Sequence, residues 1–132
     1  MNIDDNSLPR ILLVEDDPPN AQTISRFLRE SYKVEKATNG VDAINLAREN
    51  TFDVILMDIG LKGKIDGLEA AREIRKMEKY KNTPVVAVTA YVLPGIEEKF
   101  LSEGCTHYLP KPFTKNQLVD LMNSILVSVS KD

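Results

Sequence analysis

The sequence predicts one α/β domain whose parallel β-sheet is doubly wound, with helices on both faces. First, the apolar runs at 11–14, 54–57 and 85–88 are continuous rather than alternating, which is typical of strands buried on both faces. Second, segments with helical apolar spacing separate these runs, and alternating strands and helices build a parallel sheet with right-handed crossovers. We therefore expect five strands and five helices.

The first half of the chain is predicted to hold three strands and two helices. The strands are Arg10–Val14, Tyr32–Ala37 and the run that ends on Asp58. Pro18-Pro19 fits the first turn of the first helix, and the turn at Asn39-Gly40 starts the second. The residues expected to face the core are Ala21, Ile24, Phe27 and Leu28 in the first helix and Val41, Ile44 and Ala47 in the second.

The second half is predicted to begin with a glycine-rich loop at 59–67, followed by a helix at 68–77. Leu68, Ala71 and Ile74 are expected to be its buried residues. The fourth strand is expected at 84–88 and stops on Thr89, with a proline at its first position, where a strand tolerates one.

The last two helices enclose the fifth strand, which is expected at 106–109. Pro94 is predicted to open the fourth helix and Gly104 to follow its end. Thr114 and Gln117 form the pattern of a capping box at the start of the fifth. The residues expected to be buried are Ile96 and Phe100 in the fourth helix and Leu118, Leu121, Met122, Ile125 and Leu126 in the fifth.

The composition limits the classes of function. A chain of 132 residues suits a single domain, expected at 9–127 between a short polar head at 1–8 and a frayed tail at 128–132. The formal charge of −3 argues against a direct nucleic-acid partner. Because Cys105 is the lone cysteine and no long apolar stretch or leader is present, we expect no disulfide, no membrane partner and a cytoplasmic location.

Polar residues follow four of the five predicted strands. They are Glu15, Asp16 and Asp17 after the first strand, Asp58 at the end of the third, Thr89 after the fourth and Lys111 after the fifth. Because the carboxyl ends of parallel strands share one edge, we expect these side chains to converge. Two carboxylates about 4 Å apart repel by about 4 kcal/mol at an effective dielectric of about 20. The cluster therefore requires a cation or protons, and of the cations Mg²⁺ suits carboxylate, carbonyl and phosphate oxygens.

The motifs at these strand ends resemble the receiver domain of two-component response regulators. The resemblance rests on Glu15-Asp16, Asp58, Thr89-Ala90 and Lys111-Pro112-Phe113 in this order, and it spans about 10–126. Each motif alone is common, whereas the four together are specific. The resemblance implies a flavodoxin-like (βα)5 fold with strand order 2-1-3-4-5, the order of the family's chemotaxis regulator. It also implies a signalling domain rather than an enzyme.

The resemblance implies a phosphoacceptor and a metal site. Asp58 would accept a phosphoryl group from a histidine kinase or a phosphotransfer protein. Asp16, with Glu15 partly through water, would hold Mg²⁺ or Mn²⁺ together with Asp58 and the carbonyl of Gly60. The loop at 60–67 is one residue longer than in many receivers, so the identity of the carbonyl ligand depends on the path of this loop.

Further residues match positions that act on the phosphoryl group in this family. Lys111 and Thr89 would bind phosphoryl oxygens, and Tyr108 would turn inward with Thr89 as a switch. Tyr91 would tune hydrolysis of the acyl phosphate by excluding water. A cis peptide between Lys111 and Pro112 would aim the lysine amine at the phosphoacceptor.

Other classes of protein share parts of this pattern. A flavodoxin would bind a flavin phosphate in the loop where Glu15-Asp16-Asp17 would repel it. An aspartyl phosphatase would need a second Asp two residues after Asp58, and Gly60 stands there.

Within the receiver family we expect a free-standing regulator, either monomeric or dimeric on phosphorylation, with a relay shuttle or part of a hybrid kinase as alternatives. Asp17 is expected to be a solvated charge at a helix start, and His107 and Cys105 have no assigned role.

Overall fold

The computed structural model of the chain describes residues 8–90 and 93–129. Within these residues strands and α-helices alternate, and one 3₁₀ helix at Glu78–Tyr80 precedes the fourth strand. The elements are β1 (Arg10–Val14), α1 (Pro18–Leu28), β2 (Lys33–Ala37), α2 (Gly40–Glu49), β3 (Val54–Asp58), α3 (Gly67–Arg75), β4 (Val85–Thr89), α4 (Ile96–Ser102), β5 (His107–Pro110) and α5 (Lys115–Val129).

The five strands form one parallel sheet in the order β2-β1-β3-β4-β5. A core on one face contains residues of α1 and α5, and a second core on the other face contains residues of α2, α3 and α4. The prediction of a doubly wound, flavodoxin-like fold is therefore confirmed. The register places Asp58 opposite Val88 and Thr89 opposite Pro110, so the carboxyl ends of the strands meet at one edge.

Several predicted element ends differ from the structure by one or two residues, including both ends of β4 and of β5 and the start of α3, and three further differences have local reasons. β2 starts at Lys33 rather than Tyr32, because the Tyr32 ring is buried in the core beside α1 and α5 and its hydroxyl donates to Asn123 Oδ1 at 2.9 Å. α4 starts at Ile96 rather than near Pro94, because Gly95 is left-handed, with φ of 84°. The 3₁₀ helix shortens α3, which ends at residue 75 rather than 77.

The predicted inner face of α2 is wrong at one residue. Val41 is 44% exposed, and Ala43 takes the core position beside Ala47. Ile44 is half-buried and packs against the same core. The short apolar pattern of α2 fits more than one helical phase, which explains the error. The capping box of α5 is confirmed by hydrogen bonds between Thr114 and Gln117 in both directions.

The guanidinium of Arg75 ties the end of α3 to the amino ends of β4 and β5. It donates to the carbonyl oxygens of Tyr80 at 2.6 Å, Thr83 at 2.8 Å and Gly104 at 2.8 Å. Burial lowers the pKa of this guanidinium. The three carbonyls are partly buried, so each would lose a charged partner on removal of the side chain.

We predict that Arg75→Met lowers the free energy of unfolding by about 2–4 kcal/mol, because partly buried acceptors are left without a donor. Urea denaturation followed by circular dichroism measures this change. Arg72→Met is the matched control, since Arg72 lies on the same helix and forms an exposed ion pair with Glu103, for which the expected loss is below about 1 kcal/mol. Equal losses in the two variants would contradict the prediction.

Candidate functional site

Three carboxylates meet at the carboxyl edge of the two central strands. Glu15 and Asp16 follow β1, and Asp58 is the last residue of the adjacent β3. One carboxylate oxygen from each residue lies within 4.8 Å of the others. Glu15 is 2% and Asp58 8% exposed, and Asp16 is half-buried. Partly desolvated carboxylates at this separation repel one another strongly, so the arrangement favours a bound cation.

Lys111 supplies the positive charge of the site. Its Nζ lies 2.9 Å from Glu15 Oε1 and 3.7 Å from Asp58 Oδ2. The main-chain N–H of Lys111 donates to the Thr89 carbonyl at 2.8 Å, which links the backbone of this lysine to the end of β4. The peptide between Lys111 and Pro112 is cis, as predicted.

Burial and the charges of the site together shift the pKa values of Glu15 and Lys111. Burial raises the pKa of Glu15 and the charge on Asp58 acts in the same direction, while hydrogen bonds from Lys111 and from the Asp17 N–H oppose this shift. Burial alone would lower the pKa of Lys111, but the hydrogen bond to Glu15 and the charge on Asp58 outweigh it, so this pKa is raised. Lys111 is therefore protonated throughout the physiological pH range.

Asp17 lies outside the carboxylate cluster and caps a helix, as expected. Its side chain accepts a hydrogen bond from the Asn20 N–H at 3.1 Å and forms the N-cap of α1. Its own N–H donates to Glu15 Oε2 at 3.2 Å. Glu15 therefore has one oxygen on the lysine and the other on the main chain, which fixes the orientation of its carboxylate.

The β3–α3 loop, residues 59–66, contributes main-chain donors to the site. The Gly60 N–H donates to Asp58 Oδ1 at 2.9 Å, and the Lys62 N–H donates to Asp16 Oδ2 at 3.2 Å. The loop ends at Asp66, which forms a reciprocal capping box with Glu69 at the start of α3. Sequence reasoning missed this cap, although an Asp followed three residues later by Glu is its signature. The Lys62 contact has no local sequence signal.

Thr89 and Tyr108 occupy neighbouring strands at this edge. Thr89 ends β4 and is 1% exposed. Tyr108 is half-buried on β5, and its ring centroid lies 6.1 Å from that of Phe100 in α4, with the planes tilted by 42°. The tyrosine thus packs on the α4 side of the sheet. Tyr91, which the sequence suggests as a tuning residue, lies outside the described residues.

Gly67 allows the start of α3 to contact the strand that carries Asp58. A Cβ at this position would lie 2.1 Å from the carbonyl oxygen of Asp58 and 2.8 Å from Ile59 Cα. Both atoms belong to the backbone, so no side-chain rotation can relieve the overlap. Only glycine fits this contact.

We predict that Gly67→Ala destabilises the protein by about 1–3 kcal/mol through overpacking and shifts the backbone of Asp58 and Ile59. Urea denaturation and amide chemical shifts measure the two effects. The control is Gly60→Ala, whose Cβ would meet only Asp58 Oδ1 at an ordinary 3.6 Å, so its stability should be unchanged or slightly raised. Similar behaviour of the two variants would refute the close contact at Gly67.

The fold and the acidic cluster define an α/β protein of the flavodoxin-like class with a candidate cation site at the carboxyl edge of its sheet. Residues 11–123 match the family described as the response regulator receiver domain. The chain therefore belongs to this family of two-component signalling domains. No helix in the described part of the chain has the length and apolar character to cross a membrane.

Individual relatives agree with this assignment. The polar-differentiation response regulator DivK of Brucella anthropi is 33% identical over 117 residues, which cover 88% of this chain and 94% of DivK. The receiver domain of the sensor histidine kinase PA1611 of Pseudomonas aeruginosa is 37% identical, with a TM-score of 0.84 over 92% of this chain and 99% of that one, and carries a magnesium ion coordinated in its active-site cleft. The chemotaxis regulator CheY4 of Vibrio cholerae is 28% identical, with a TM-score of 0.85 and coverages of 90% and 99%.

Proposed function

We propose that this receiver domain accepts a phosphoryl group on Asp58 from the phosphohistidine of a sensor histidine kinase or a histidine phosphotransfer protein. The observation that carries the proposal is the position of Asp58. It is a buried carboxylate at the end of a central parallel strand, beside two further carboxylates and the Lys111 ammonium. The conformation that follows phosphorylation would then control a partner protein.

The reaction exchanges one bond to phosphorus for another. An oxygen of the Asp58 carboxylate forms a bond to phosphorus as the bond between phosphorus and the donor imidazole breaks. The imidazole keeps the electron pair and takes a proton from solvent, and Asp58 becomes an acyl phosphate. Lys111, which is protonated and 3.7 Å from Asp58 Oδ2, is within reach of a phosphoryl oxygen. The Thr89 hydroxyl is proposed to donate to another.

The donor set suits a hard divalent cation. Oxygens of Glu15, Asp16 and Asp58 would hold Mg²⁺, or Mn²⁺ in its place, with the carbonyl of Gly60 as a further ligand. A cation bound there would offset the repulsion between the phosphoryl oxygens and the carboxylate. The surplus of negative charge among these carboxylates and the ion in the related PA1611 receiver support this site.

The proposed switch joins Thr89 to Tyr108. Thr89 would move toward the phosphoryl group and vacate space that Tyr108 enters. The position of the Tyr108 ring supports this, because it is half-buried on the edge strand and packs against Phe100 of α4. Movement of Tyr108 would alter the surface around β5 and α4, where its ring packs, and this surface is the proposed contact for the downstream target or for a second phosphorylated copy.

An apolar groove beside Lys111 supports docking of the phosphodonor. The groove has a volume of about 390 Å³ and is lined by Ile24 and Phe27 of α1 and by Pro112 and Phe113 before α5. Such a groove suits the apolar face of a helix. A donor helix lying there would bring its histidine to the same edge as Asp58, so the groove and the acidic cluster would act together.

Two roles within the family stay open as proposals. One role is that of a regulator like DivK, of which the match covers 94%. A receiver in a phosphorelay or hybrid kinase is supported by the identity of 37% to the PA1611 receiver. Neither role needs a nucleic-acid partner. A phosphotransfer profile against the histidine kinases and phosphotransfer proteins of the source organism distinguishes them.

We predict that acetyl phosphate or beryllofluoride modifies the protein only when Mg²⁺ or Mn²⁺ is present, because three carboxylates otherwise repel the anion. Asp58→Asn should abolish the modification, measured by intact-protein mass spectrometry for the phosphoryl group and by ¹⁹F NMR for beryllofluoride. Asp120→Asn is the matched control, since Asp120 is an exposed carboxylate of α5, and it should be labelled like the wild type. Labelling of Asp58→Asn at the wild-type rate would refute the phosphoacceptor.

A second prediction concerns Tyr91. Hydrolysis of the acyl phosphate needs a water in line with phosphorus, and a phenol ring beside the site would obstruct its approach. We therefore expect Tyr91→Ala to lose its phosphoryl group faster than the wild type at saturating Mg²⁺, with labelling rate and metal affinity unchanged. Equal dephosphorylation rates would remove Tyr91 from the mechanism.

A further inference from the structure

We infer that the main-chain N–H of Lys62 positions Asp16 for cation binding, and that a contact between Ile65 and Gly40 holds the loop that carries this N–H. The inference rests on the proposed Mg²⁺ site. It assigns a positioning role to residues of the β3–α3 loop and of the start of α2, none of which is a ligand itself.

The three carboxylates of the cluster differ in how they are held. Glu15 is fixed by Lys111 and by the Asp17 N–H, and Asp58 is fixed by the Gly60 N–H and approached by Lys111. Within residues 8–90 and 93–129, the Asp16 carboxylate accepts a hydrogen bond only from the Lys62 N–H, at 3.2 Å. The rotamer of Asp16 therefore depends on the position of one loop amide.

The Lys62 N–H lies in an exposed stretch of the loop, and the apolar residues beside this stretch pack against the protein. Lys62, Gly63 and Lys64 are exposed, and the neighbouring apolar side chains that turn inward are Leu61, which is 6% exposed, and Ile65, which is half-buried. Gly63 has a φ of 119° and faces open space, since a Cβ built on it would meet no atom within 4 Å beyond its chain neighbours. Gly63 therefore does not pack against the rest of the described chain. We therefore infer that Leu61 and Ile65, the inward-facing residues on either side, set the path of residues 62–64.

Gly40 provides the contact surface for Ile65. A Cβ on Gly40, the first residue of α2, would lie 2.6 Å from Ile65 Cγ1 and 2.9 Å from its Cδ1. The isoleucine thus rests on the bare backbone of the helix start. A side chain at residue 40 would force the Ile65 side chain to shift or change rotamer, and we infer that the Lys62 N–H shifts with it.

A carboxylate keeps free acceptor sites after it receives one N–H, so Asp16 can accept from Lys62 and still bind a cation. Loss of a hydrogen bond that orients a metal ligand typically lowers metal affinity by about 10- to 100-fold. The Lys62 N–H should act in this way, because it fixes the orientation of the carboxylate before the ion arrives.

The test compares Mn²⁺ binding by electron paramagnetic resonance, with Mg²⁺ as competitor, in wild type, Lys62→Ala, Lys62→Pro and Gly40→Ala. Lys62→Ala removes the side chain and keeps the N–H, whereas Lys62→Pro removes both. We expect Lys62→Ala to bind within about twofold of the wild type and Lys62→Pro to bind about tenfold more weakly than Lys62→Ala. Gly40→Ala should also bind more weakly, with its unfolding temperature maintained by the better helix propensity of alanine.

Equal affinities of Lys62→Pro and Lys62→Ala would overturn the inference. If Lys62→Pro does not fold by circular dichroism, Gly40→Ala decides, and wild-type affinity in that variant overturns the role of the loop. Absence of Mn²⁺ and Mg²⁺ binding in the wild type would instead overturn the proposed metal site, and the inference with it. A wild type that binds while the variants bind equally well would overturn the inference alone.

Discussion

Mutual repulsion of three carboxylates at one edge of the sheet is the constraint around which this end of the molecule is built. Glu15, Asp16 and Asp58 place ligand oxygens within 4.8 Å of one another, and two of the three are almost fully buried. Such a cluster is tolerable only where fixed donors face it. Lys111 and the loop amides supply these donors, and they come from segments that only a parallel sheet brings together.

The polar contacts at the two ends of the sheet differ in kind. At the amino ends, the Arg75 guanidinium and the Tyr80 hydroxyl satisfy main-chain carbonyls, and the Tyr80 oxygen lies 2.7 Å from the carbonyls of Ala47 and Asn50. At the carboxyl ends, like charges are held together at a cost. The contacts of the first group satisfy buried or partly buried carbonyls and stabilise the fold.

The parts of the molecule that the sequence predicts well are those with a strong local pattern. The buried strand β3 is a continuous apolar run that leads into the site, so Asp58 could be located from the sequence pattern. Lys111 follows the short, partly exposed β5 and is located by the resemblance of Lys111-Pro112-Phe113 to the receiver family. β2 is a half-exposed edge strand, Lys33–Ala37, and its predicted start differs by one residue because the Tyr32 ring belongs to the core beside α1 and α5, a contact that the local sequence does not encode. The Lys62 to Asp16 hydrogen bond joins residues 46 apart, and no local pattern encodes it.

The position of Lys111 between two carboxylates suits both the unmodified cluster and the proposed phosphorylated one. In this structure the ammonium is closer to Glu15 than to Asp58, at 2.9 Å against 3.7 Å. Under the proposed function, phosphorylation of Asp58 places additional negative charge on the Asp58 side of the lysine, and a flexible ammonium follows the stronger field. The Lys111 N–H donates to the Thr89 carbonyl, so the backbone of the lysine stays tied to the end of β4 while its side chain moves. The residue that offsets part of the negative charge of the cluster is thus also placed to bind the proposed phosphoryl group.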